Sequence, residues 1–203
     1  MTNAASAPPE PTSVRIIHAA THQFFERGFH GTSIKDLAAE AGVRSATLYY
    51  HFPCKEEILV AIMRSTLADL AEVVDSATKT HHGAADQLRA AVTAHIHFHV
   101  DHHREVFLCD AELRALSPTT RAEIVALRDR YEEVFRAILR SGLTAGVLEV
   151  PNVELVTRSL LAACSGVAFW FRPVGTLTVG DVADTYAEIF LRALRAHNQG
   201  RPS

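Results

Sequence analysis

Apolar residues recur at helical spacing over almost the whole chain. Between Thr12 and Gly28 the apolar positions Val14, Ile17, Ala20, Phe24 and Phe25 mark one face of a first helix, and Gly28 is placed to stop it. Ser33 or Thr32 can cap a second helix over 34–41, with Asp36 in its first turn to complement the helix N-terminus. Gly42 separates this from a short third helix near 44–50. Pro53 closes the unit, and a long fourth helix runs from "KEE" through Leu59, Ile62, Met63, Leu67 and Leu70. Further helical stretches follow at 88–100, 106–116, 124–139, 155–171 and 182–194, with Pro118, Gly142, Gly146, Pro151, Pro173 and Gly175 read as punctuation. Strand alternation is absent, so the expected fold is all-α with nine or ten helices.

Composition narrows this further. At 203 residues and 48% hydrophobic, the chain can bury a substantial core. The formal charge is −3, yet residues 12–55 hold five cationic side chains (Arg15, Arg27, Lys35, Arg44, Lys55) against three acidic ones. That local excess weakly favours an anionic partner for the N-terminal quarter. Cys54, Cys109 and Cys164 are far apart and have no CxxC spacing, which predicts free thiols in a reducing compartment, hence a cytoplasmic location. The first 11 residues are expected to be a disordered leader with neither a basic nor an apolar signal region. Ser165 interrupts the longest apolar run, 160–171, and no membrane span is expected.

Two helices joined at Gly42 could form any helical hairpin. The finer pattern separates two faces. Leu37, Ala41, Val43 and Leu48 are apolar where a helix-turn-helix must bury them, and Ala38 is small where the helices cross. Arg44, Ser45, Thr47, Tyr50 and Lys55 stay polar on the other side, as a groove-facing surface requires.

The run "TSIKDLAAEAGVRSATLYYHFPCKEEIL", with the preceding "AATHQFFERGFHG", resembles the DNA-binding segment of TetR-type transcriptional regulators. It departs from the commonest form at Cys54, where Ser or another small polar residue is usual. The resemblance implies a homodimer with an N-terminal DNA-binding domain (12–56) and a larger domain (57–198) for a small-molecule effector and for dimerisation through the last two long helices, about 153–172 and 179–197. It implies no cofactor and no enzymatic activity. It sets Thr32 and Ser33 near a phosphate of double-stranded operator DNA, Arg44, Ser45 and Thr47 toward the bases, Tyr49, Tyr50 and His51 along the backbone, and Lys55 as a phosphate clamp. Tyr49 could equally be half-packed on the first helix, and His51 could serve packing or capping.

In the larger half, "AHIHFHVDHHREVFLCDAELRAL" sets His95, His99 and His102 within about 60° on one helix face. A metal site with Asp101, Glu105 or Asp110, a polar lining for an organic ligand, and an ordinary hydrogen-bonded core are all compatible with that. A small helical enzyme using the same histidines with Asp101, Glu105 or Glu112 lacks any nucleophile or phosphate-loop motif. Candidate ligand-lining residues are His95, Phe98, His99, His102, Phe107, Glu112, Phe135, Phe169 and Trp170. "FWFRPVGTLT" is similar to a stretch in TetR-type regulators of fatty-acid and steroid breakdown, whose ligands are often coenzyme A thioesters. Arg104, Arg158 and Arg172 are the cations available for such a ligand's phosphates.

Overall fold

A computed structural model describes residues 10–195. The described residues form ten α-helices: α1 (Thr12–Gly31), α2 (Ile34–Glu40), α3 (Ser45–His51), α4 (Lys55–Lys79), α5 (Ala84–Asp101), α6 (His103–Ala111), α7 (Pro118–Thr144), α8 (Val153–Ser165), α9 (Val167–Trp170) and α10 (Val179–Leu194). A 3₁₀ turn, Leu113–Ala115, links α6 to α7, and no strand occurs among the described residues. Most of the expected leader, the last residues of the expected final helix and the expected domain end at 198 lie outside the described residues.

The chain divides into two compact units that are not collinear with the sequence. One holds 10–65 and 104–122; the other holds 66–103 and 123–195. The expected boundary near 56 therefore omits a second stretch, 104–122, that folds with the N-terminal helices.

In the first unit α1, α2 and α3 pack on one another around Ile16, Ala20, Phe24, Leu37 and Leu48. The buried stripe of α1 runs through Ile16 and Ala19, whereas Val14 is exposed. Gly28, at φ 72°, interrupts α1, and the chain resumes a helical turn as far as Gly31. In the second unit α5 is central, packed against α8, α9 and α10. Two punctuation residues act differently from expectation. Pro118 opens α7 at its first position, where a missing N–H costs nothing. Gly142 is buried within α7, where a Cβ would collide with the Leu148 side chain and meet Ala84 Cβ at 2.9 Å. The glycine there serves close approach.

The 18-residue window Val153–Trp170 is apolar and long enough to cross a membrane, and 28% of it is buried. It also carries Glu154 and Arg158 and is divided between α8 and α9.

Candidate nucleic-acid interface and buried polar cluster

The short helix α3 is held from behind. Leu48 is fully buried against the α1–α2 core, the Val43 N–H donates to the Ala38 carbonyl, and Gly42 turns the chain at φ 64°. Arg15 secures that turn from α1, its guanidinium donating to the Ala41 and Gly42 carbonyls. Sequence reasoning counted Arg15 only as charge. On the open side Arg44, Tyr49, Tyr50 and His51 are exposed, Ser45 and Thr47 are half-exposed, and Tyr50 reaches 85% exposure. Tyr49, at 51%, is neither buried nor fully free, and the Tyr50 and His51 rings meet edge-on at 5.3 Å.

Ser33 is the cap of α2. Its hydroxyl accepts the Asp36 N–H at 3.2 Å while the Asp36 carboxylate accepts the Ser33 N–H at 3.0 Å, a reciprocal capping box. The hydrogen bond from the Ser33 hydroxyl holds the Asp36 carboxyl below its ordinary pKa.

Two expected phosphate contacts are occupied inside the fold. Thr32 is buried; its hydroxyl donates toward the Gln23 and Gly28 carbonyls, and its N–H bonds Phe29 O. It locks α2 to α1 and has no donor left for an anion. Lys55 turns its ammonium onto the Phe29 and Thr32 carbonyls at 2.6 and 2.7 Å, 4.3 Å from the Phe29 ring centre. Burial lowers its pKa, opposed by the charge of Glu112. It is a cap for the end of α1 rather than a free clamp.

Two residues expected to line a ligand also belong to this unit. The Gly28 break leaves the Phe29 N–H without a helical acceptor, and the Glu112 carboxylate takes it at 2.9 Å. Phe107 lies edge-on to Phe25 at 5.2 Å, and the Ser117 N–H donates to Glu56 at 2.9 Å, which lowers the Glu56 pKa. These contacts explain why 104–122 folds with the head, a non-local fact that spacing cannot reveal.

The second unit encloses a polar cluster. His95 and His99, one turn apart on α5, stack with ring centres 3.9 Å apart and are 1% and 6% exposed. His99 Nδ1 lies 3.0 Å from the His95 carbonyl. A carbonyl can only accept, so that nitrogen carries the proton and His99 Nε2 is the acceptor. Ser165, 3.2 Å away, therefore donates to it and accepts from His95 Nε2–H at 3.1 Å. His95 Nδ1 is left to accept the Tyr131 hydroxyl. Every ring nitrogen is thus assigned and used, and neither ring has a lone pair left for a metal. Burial holds His95 well below its ordinary pKa and His99 at about 4, and raises Tyr131. Tyr131 and Ser165 carried no sequence signal, because they reach the histidines from α7 and α8.

Phe98 and Phe135 are buried with this cluster, Phe135 edge-on to His95 at 5.9 Å. His102 is not. The α5 helix ends at Asp101, so extrapolating its face fails, and His102 caps the helix, exposed, its ring 4.3 Å from Phe98. Phe169 and Trp170 are 55% and 51% exposed and do not line an interior. Of the candidate cations, Arg104 lies in the first unit near the Phe25 ring, Arg158 is exposed, and Arg172 donates to the Phe169 and Phe171 carbonyls.

Residues 16–62 match the model for bacterial regulatory proteins of the tetR family, and 81–194, more than half of the chain, match that for the tetracyclin repressor-like C-terminal domain. The chain belongs to the TetR family. As a TetR-family member it is a DNA-binding transcriptional regulator and not an enzyme. It is 30% identical over 186 residues to the HTH-type transcriptional repressor KstR2 of Rhodococcus jostii, covering 90% of this chain and 91% of that one. It is 25% identical over 139 residues to the fatty acid metabolism regulator protein of Bacillus subtilis, covering 68% and 72%. Among solved structures, AibR in complex with isovaleryl coenzyme A and operator DNA superposes at a TM-score of 0.80, with 26% identity over 88% of this chain and 97% of that one.

Proposed function

We propose that this TetR-family chain acts in the cytoplasm as a homodimeric repressor that leaves a palindromic operator when it binds an acyl-coenzyme A thioester. The exposed polar face of α3 carries the DNA-binding part of this reading. Arg44, Ser45 and Thr47 face the bases, and Tyr49, Tyr50 and His51 line the phosphate wall, while the Ser33 hydroxyl stays engaged with Asp36. The thioester is suggested by a relative named as a fatty acid metabolism regulator protein and by AibR in complex with isovaleryl coenzyme A. Residues 12–56 read DNA, and the larger part that follows binds effector and partner. The effector favours a conformation of the dimer in which the two recognition helices are wrongly spaced for successive major grooves, and its differential affinity for the two states sets the release.

The test is fluorescence anisotropy on a duplex selected from a random library, titrated with acyl-coenzyme A thioesters from isovaleryl to palmitoyl. A palindromic duplex should bind and be released by at least one thioester. A duplex that binds but ignores all of them would leave the DNA reading intact and remove the effector.

A further inference from the structure

The interior of the second unit is nearly complete in its hydrogen bonding. His95, His99, Tyr131 and Ser165 satisfy one another in the chain described above, the Thr78 hydroxyl donates to Asp75 O at 2.9 Å, and Thr66 is engaged as well. Arg136, 8% exposed, is the buried cation among the described residues. Its Nε meets Glu154 at 2.8 Å, its Nη2 meets Glu132 at 2.6 Å and its Nη1 donates to the Asp129 carbonyl at 3.2 Å. Its charge is already matched.

Among the described residues of this unit, Thr157 is the exception. It is 0% exposed, and its hydroxyl oxygen has no hydrogen-bond partner. A helical threonine commonly returns its hydroxyl to a carbonyl one turn back, and this one does not. A buried hydroxyl without a partner costs about 1–3 kcal/mol, a cost that a ligand acceptor arriving at this position would offset. The surroundings say which kind. Thr157 shares the inner stripe of α8 with buried Leu161 and Cys164, and burial pushes the Cys164 thiol up to about 12. That helix is tied near its start by Glu154 to Arg136 and at its end by Ser165 to the histidines, so the stripe between is held in place.

We infer that Thr157 is the polar anchor for an effector seated against the inner stripe of α8, and that it donates to an uncharged carbonyl of the thioester type. A free carboxylate would need an uncommitted cation, and Arg136 already has its counter-charges. This inference rests on the effector reading above and narrows it to a chemical group and a residue.

Calorimetry on the full-length protein tests it with acyl-coenzyme A thioesters from isovaleryl to palmitoyl, S-isovaleryl-N-acetylcysteamine, and isovalerate. Wild type should bind thioesters and not isovalerate. Thr157→Val, which removes only the hydroxyl's hydrogen bonding, should weaken thioester binding roughly fivefold to tenfold. Thr157→Ser should restore it, and unliganded operator affinity should stay unchanged in both variants. Equal thioester affinity in wild type and Thr157→Val would overturn the inference while sparing the effector reading. Isovalerate binding as tightly as its thioester would overturn the choice of group. No heat from wild type with any thioester would end both.

Discussion

Lys55 shows how a residue's partners decide its role. Its position beside the DNA-reading helix suits a phosphate contact, and on that basis Lys55→Ala would lower the magnitude of the salt slope of operator binding by about 1. Its ammonium instead bonds the Phe29 and Thr32 carbonyls. We predict that Lys55→Ala destabilises the protein by about 1–3 kcal/mol and leaves the salt slope nearly unchanged. Arg44→Ala should reduce the slope by about 1 with little loss of stability. Denaturant titration together with binding across a salt series separates the two. The pattern of small, polar and apolar residues from Thr32 to Lys55 was legible because it is local. Which of the polar ones face outward was not, because Thr32 and Lys55 are claimed by carbonyls on α1.

At the scale of elements, α5, α7 and α8 are joined by one directed hydrogen-bond chain, from Tyr131 through His95 and Ser165 to His99. It tolerates only neutral imidazoles, since an added proton would put a donor against a donor. Both histidine pKa values are lower folded than unfolded, so the unfolded chain takes up protons first as pH falls. Stability should be flat above about pH 7 and fall as pH drops from about 6.5 toward 4, by up to about 1.4 kcal/mol per pH unit for each histidine. The charge of Arg128 further depresses His99, while Tyr131 and Cys164 stay neutral across that range. Denaturant midpoints between pH 4 and 8 measure this. A Tyr131→Phe variant, with His95 Nδ1 left unpaired, should lose about 1–3 kcal/mol at neutral pH. Periodicity located every long helix and put His95 and His99 inward. It could not foresee that α5 ends before His102, or that Gly142 sits in α7 to admit Leu148, since those depend on helix ends and on neighbours distant in sequence.

At the scale of the whole molecule, the outer face of the last helices is apolar and exposed in the single chain. Leu155 on α8 and Ile189 on α10 are 64% and 56% exposed, beside helices whose other faces are buried. In the proposed dimer they pair with a second copy about a two-fold axis. The double variant Leu155→Asp, Ile189→Asp should sediment as a monomer. Operator affinity should fall by roughly 100-fold or more, because each head then binds one half-site without the gain from linkage.

The placement of 104–122 with the N-terminal helices also bears on how such a protein can be recombined. The head consists of two stretches of chain, with 66–103 running between them. A chimaera that exchanges only the first 65 residues would leave Phe29 N–H facing whatever the host carries in place of Glu112, and Phe25 facing whatever replaces Phe107. Domain swapping in this regulator therefore calls for grafting both stretches together, and a cut after the helix-turn-helix does not yield an interchangeable cassette.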